Sequence, residues 1–80
     1  MPMFTIETTN ADFKAMADEV AFDGVDDALA VGIRGAVKMA GDEVVSGVTA
    51  ASVLVSINDA AGSPVRRAIV SISVSSMLAS

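Results

Sequence analysis

Two alternating segments joined by a turn constrain this chain more than anything else in it. From Ser52 to Asn58, Val53, Val55 and Ile57 alternate with Ser52, Leu54 and Ser56. From Val65 to Met77, Ala68, Val70, Ile72 and Val74 alternate with Ile69, Ser71, Ser73 and Ser75. A period of two marks a strand with one face turned to a core. Between the two runs, Asn58-Asp59-Ala60-Ala61-Gly62-Ser63-Pro64 is turn chemistry, with Asp, Gly and Pro each supplying a turn-specific backbone preference. The C-terminal third is therefore a β-hairpin.

Burial fixes its register. Val53 and Val55 share a face with Val70 and Ala68 only if the pairs are Val53–Val70 and Val55–Ala68, because a one-residue slip turns every side chain over. The same register sets Ile72 opposite Ala51. The last strand then overruns its partner, and Val74 to Met77 are expected to pair with the first strand or with another molecule.

Met3 to Thr9 alternates in the same way and is expected to be a half-buried strand with Phe4 and Ile6 inside. Asn10-Ala11-Asp12 reads as a turn. Phe13 to Phe22 fits either a short helix or an irregular stretch, with Phe13, Met16, Val20 and Phe22 available to cover the core.

One helix is expected from about Gly24 to Ser46. Asp23 is placed to cap it, Asp26 stands three residues on in the capping-box position, and Asp26 and Asp27 suit the positive end of the helix dipole. Ser46-Gly47 marks its end. At 100° per residue, Val25, Leu29, Ile33, Ala36, Val37, Ala40 and Val44 form an apolar stripe, predicting burial of Leu29 and Ile33. Asp27, Arg34, Lys38 and Asp42 lie opposite. Ala28, Gly32, Gly35 and Met39 form a flank, where two interior glycines cost about 1 kcal/mol each against alanine. Close approach of another backbone is the expected compensation.

Composition narrows the function classes. With 80 residues the chain is one domain, residues 1–80, without linker or internal repeat. A domain this small hides only about 60% of its unfolded surface, yet 52% of its residues are hydrophobic, which points to surface hidden against a partner. Cysteine and histidine are absent, which excludes a disulfide scaffold, a thiolate zinc site and the commonest general base and metal ligand. The net charge of −5 disfavours nucleic acid as a partner. No charge-free run reaches the roughly 18 to 20 apolar residues of a membrane span, and the first segment lacks the basic and apolar regions of a signal peptide. A cytoplasmic protein without membrane contact is the expectation.

Four residue groupings remain. Arg34, Lys38, Arg66 and Arg67 could form an anion or acidic-partner patch, or simply keep an apolar hairpin soluble. Asp23, Asp26 and Asp27 do not converge, and capping explains them. Gly32 and Gly35 lack the strand–loop–helix setting of a phosphate loop. Ser71, Ser73 and Ser75 have no histidine or lysine near them to activate a nucleophile. With Leu54 and Ile69 they make a flat face poor in charge, either an uncovered sheet face or a contact between sheets. Gly32, Gly35, Leu54, Ile69, Ser71, Ser73 and Ser75 are the candidate oligomer interface. No catalytic, cofactor or metal-binding residue is indicated.

The whole chain also resembles a family of small, uncharacterised proteins, mostly from rhizobia and related alphaproteobacteria. The resemblance is carried by "MPMFTIET", by "DEVAFDGVDDALAVGI" leading into the helix, and by "VLVSINDAAGSPVRRAIVSI" as the terminal hairpin. It implies a bacterial origin and no activity, cofactor or catalytic residue.

The expected architecture is α+β, a two-layer sandwich of one long helix on a small, mainly antiparallel three-stranded sheet, in the order β-α-β-β. The long last strand is expected in the middle of the sheet, between the other two, as a split βαβ unit. The expected function is that of a non-enzymatic protein-interaction module acting as a homodimer, without cofactor. The alternative is an antitoxin-like regulator or a small-ligand sensor.

Overall fold

A computed structural model of the chain describes residues 2–10, 14–16 and 19–75. One helix packs on one face of an antiparallel five-stranded sheet. Along the chain the elements are β1 (Met3–Thr9), β2 (Lys14–Met16), β3 (Val20–Ala21), α1 (Val25–Val45), β4 (Ala50–Asn58) and β5 (Pro64–Ser73). Phe13 and Met77 lie outside the described residues.

The hairpin has the register that burial demands. Val53 pairs with Val70, Val55 with Ala68 and Ala51 with Ile72. Its turn is built on Asp59, whose Oδ1 accepts from the backbone N–H groups of Ala61 and Ser63, both at 3.0 Å. Gly62 takes φ +85°, a left-handed conformation that side-chain-bearing residues rarely adopt.

The sheet order differs from the expected one. β4, not β5, is central. It pairs with β1 on its other side, from Thr5↔Asn58 to Thr9↔Leu54, and the order is β2-β1-β4-β5. Ile6 opposite Ile57 and Thr8 opposite Val55 continue the inner rows that Val53 and Val55 begin. β1 thereby closes the core over the most apolar strand, and no split βαβ unit forms. The overrun of β5 shrinks accordingly. β4 begins at Ala50, and the Val74 N–H donates to the Thr49 carbonyl at 2.8 Å.

The described residues of the segment after β1 form two short strands, where the sequence suggested a short helix or an irregular stretch. Met16 to Lys14 pair with Glu7 to Thr9, and Ala21 and Val20 with Met3 and Phe4. Between the two pairings this segment carries one residue more than β1, so a single register cannot run through both. Of the expected cover residues that are described, only Phe22 packs on the core, its ring centroid 6.3 Å from that of Phe4. Met16 and Val20 are exposed.

α1 begins at Val25, one residue later than a cap at Asp23 requires. Gly24 is the N-cap, and no side chain bonds there. Its C-terminus is a Schellman motif. The Gly47 N–H reaches the Val44 carbonyl at 3.1 Å and the Val48 N–H the Glu43 carbonyl at 3.3 Å, with Gly47 at φ +114°.

The helix is rotated from its apolar stripe. Its buried residues are Ala28, Gly32, Ala36 and Ala40, while Leu29 and Ile33 are half-buried and Val37 is 47% exposed. Val53, Val55 and Ile57 already fill the inner face of β4 and are fully buried, so the helix approaches with its smallest residues. A Cβ on Gly32 would stand 2.7 Å from Val55 Cγ1. The glycine therefore accommodates β-branched side chains of the sheet rather than a second backbone. Nothing lies within 4 Å of a Cβ built on Gly35, which is exposed.

Candidate interaction surface

Strand alternation gives the sheet two unlike faces. The inner face carries Phe4, Ile6 and Thr8 of β1 and Ala51, Val53, Val55 and Ile57 of β4, all buried beneath α1. Among the described residues no helix lies on the outer face. There Glu7 sits beside Met16 and Ser56, Thr9 beside Leu54, and Leu54 beside Ile69. Met16 is 57% exposed, Leu54 39% and Ile69 69%. Ser52 and Ser71 face each other with their hydroxyls 3.1 Å apart. Most polar groups of this face are engaged locally. Lys14 Nζ lies 3.1 Å from Glu7 Oε1, and Asn58 Nδ2 donates to the other Glu7 oxygen at 3.5 Å.

The candidate interface residues divide accordingly. Leu54, Ile69, Ser71, Ser73 and Ser75 are exposed, and cross-strand pairing sets Leu54, Ile69, Ser71 and Ser73 on the outer face. Gly32 is buried against the chain's own sheet and offers no surface to another molecule. Gly35 is exposed, but on the helix side. The seven residues do not form one surface.

The basic patch does not assemble either. Arg66 and Arg67 are neighbours in a strand and point to opposite faces. Arg66 opposes Ile57 on the helix side and its Nη2 meets Asp26 Oδ1 at 3.0 Å. Arg67 opposes Ser56 on the outer face. Arg34 and Lys38 are exposed on α1, and on the helical wheel they lie away from its sheet-facing stripe. Their spacing in sequence carried no information about which side of a strand each would take. Asp26 was the signal for one of them, as the one carboxylate on the helical flank that faces β5.

That ion pair identifies the flank. On the helical wheel Leu29, Ile33, Val37 and Val44 fall on the same side of α1 as Asp26. Since Asp26 reaches β5, that side of α1 is turned toward β5 at the N-terminal end of the helix. The opposite flank holds Val31 and Gly35, which line a hollow of about 350 Å³ with Ile6, Ala15 and Met16. Among the described residues no three His, Cys, Asp or Glu side chains gather to hold a metal ion, and no helix is long and apolar enough to cross a membrane.

Compared with protein-family models, with curated proteins and with solved structures, the chain finds no match.

Proposed function

We propose that this protein is a non-enzymatic interaction module that acts as a homodimer. The observation that carries the reading is contiguous apolar surface. Leu54 and Ile69 are both exposed and stand side by side on the outer face of the sheet, and Val37 and Val74 are exposed as well. Surface of this kind marks an interaction site more often than a solvated face.

The charge arrangement supports an interaction role over catalysis. Glu7 is matched with Lys14 and Asp26 with Arg66, one carboxylate to one cation, with no convergent acid–base pair at either place. The setting under this proposal is the cytoplasm, where a chain without cysteine loses nothing to the reducing environment. Equilibrium sedimentation at micromolar concentrations is the test. The expected result is a mass of two chains, and a monomer throughout that range overturns the reading.

A further inference from the structure

The two borders of the sheet are built differently. On the β1 side the chain covers itself with strands of three and two residues, broken in register and carrying Lys14. Short, broken, charged strands are how sheets prevent edge pairing. On the other side β5 runs for ten residues. Its charges, Arg66 and Arg67, stand near the start, and Ala68 to Ser73 carries none. Among the described residues nothing pairs with its outer edge.

The hydrogen-bond phase of that edge can be read off. Val74 donates to Thr49, and phase alternates along an antiparallel ladder. Ile72, Val70, Ala68 and Arg66 therefore turn their backbone groups toward β4. Ser73, Ser71, Ile69 and Arg67 turn theirs outward, as a row of free donors and acceptors.

The same border is apolar above the sheet. Ala68, Val70 and Ile72 of β5 are only half-buried, because α1 covers them with its flank rather than its base. On the helical wheel Leu29, Ile33 and Val37 fall on the flank of α1 that carries Asp26, which reaches Arg66 of β5. Gly32 stands over Val55, which pairs with Ala68. Ile33 is therefore near the level of Ala68, and Val37, about 6 Å further along the helix, near that of Val70.

We propose that a second copy of the chain pairs with the free edge of β5, antiparallel across a twofold axis at Val70, so that two sheets become one and the Ile33–Val37 flanks close over the join. This deepens the homodimer reading above and rests on it. The occupant is a copy of this chain because the edge is self-complementary. With Val70 on the axis, Ile69 meets Ser71 and Ala68 meets Ile72 of the other copy, large against small. Arg66 and Arg67 fall at the outer ends, opposite Val74 and Ser73, so no like charges meet. Directly opposed residues share a face, so the aliphatic row stays beneath the helices. The outward residues Ile69 and Ser71 form the hydrogen-bonded pairs, as their phase requires. An isologous contact of this kind closes at two copies and leaves no free β5 edge to propagate.

The test separates the site from the dimer. Ser71→Pro deletes one outward N–H and leaves the β4 ladder intact, since Ser71 does not donate to β4. Val37→Glu charges the helix flank. Leu54→Lys, at the centre of the outer face, is the control. In sedimentation, with folding checked by circular dichroism, Ser71→Pro and Val37→Glu are each expected to weaken the dimer by at least roughly tenfold, and Leu54→Lys to leave it unchanged. A second measurement does not depend on how proline is tolerated. The chain has no cysteine, and at a non-hydrogen-bonded pair the Cα atoms stand about 4.5 Å apart, within disulfide range. Val70→Cys is expected to oxidise to a covalent dimer, and Ala60→Cys in the hairpin turn is not. A wild-type monomer defeats the homodimer reading itself. A wild-type dimer that survives Val37→Glu and gives no Val70→Cys bridge keeps that reading and overturns the β5 edge as its seat.

Discussion

β4 and β5 are the two arms of one hairpin, nine and ten residues long, and both alternate aliphatic with small polar residues. Their fates differ. Val53, Val55 and Ile57 of β4 are fully buried, while Val70 and Ala68, which pair with the first two, are half-buried, and Arg66, which pairs with the third, is exposed. The difference is one of neighbours. Among the described residues β4 has a strand on each side and the base of α1 above it, whereas β5 has a strand on one side only. Alternation tells which way a side chain points, but how deeply it is buried depends on what stands beside the strand.

The comparison is broken most severely at Ile57. Truncation to alanine removes three carbons from a fully buried site between β1 and α1. Ile57→Ala is expected to destabilise by about 2–5 kcal/mol. Against a typical total of about 5–15 kcal/mol, the low end applying to so small a domain, this unfolds much of the population. Urea unfolding measures it directly. A loss of less than about 1 kcal/mol would mean that β4 is not the centre of the core.

The helix offers a comparison of the same kind within one turn. Gly32→Ala sets a Cβ 2.7 Å from Val55 Cγ1 and 3.2 Å from Ile6 Cγ2. Val55 is β-branched and fully buried, so neither it nor the helix yields easily. The expected net loss is about 1–3 kcal/mol, in spite of alanine's better helix propensity. Gly35→Ala, three residues on, meets open space and is expected to stabilise by up to about 1 kcal/mol. Opposite signs at the two glycines confirm the rotation of α1. Equal signs would turn the helix back toward its large residues.

That rotation shows what could be read from the sequence and what could not. The identity of β1, β4 and β5, the hairpin register and the ends of α1 are local properties, set by alternation, by Asp59 and Gly62 in the turn, and by Gly47 after the helix. All of these were legible within one residue or two. The face of α1 was not. A hydrophobic stripe is weighted by Leu29, Ile33 and Val37, but the contact with β4 selects for smallness, and Ala28, Gly32, Ala36 and Ala40 satisfy it. The sheet order depends on whether β1 joins β4 or β5. Phe4 and Ile6 match the inner residues of either, so alternation does not decide. β2 and β3 are too short to show a period. On the outer face, the serine row was legible because Ser52 and Ser71 follow from the register. The basic patch was not assembled, because Arg66 and Arg67 are adjacent and a strand sends them apart. The divergence between the large-residue stripe and the buried stripe is informative in its own right, since it leaves Ile33 half-buried and Val37 exposed.

The smallest effect is expected at Ile69, and it sharpens the contrast with Ile57. Both are isoleucines of the same hairpin, but Ile69 is 69% exposed and points to the face without a helix. Ile69→Thr keeps a β-branched side chain and its preference for strand. What it loses is part of a cross-strand contact with Leu54, itself 39% exposed, and such pairs contribute about 0.2–1 kcal/mol. In the twofold arrangement Ile69 lies opposite a serine, so little more is lost on pairing. Unfolding free energy is therefore expected to fall by no more than about 0.5 kcal/mol. Urea curves at two protein concentrations separate the fold from the dimer, because only the latter shifts the midpoint with concentration. A loss at Ile69 approaching that at Ile57 would require the outer face to be covered in solution. β5 would then be a strand buried on both faces, and the outer face, rather than the edge, would be where a second molecule binds.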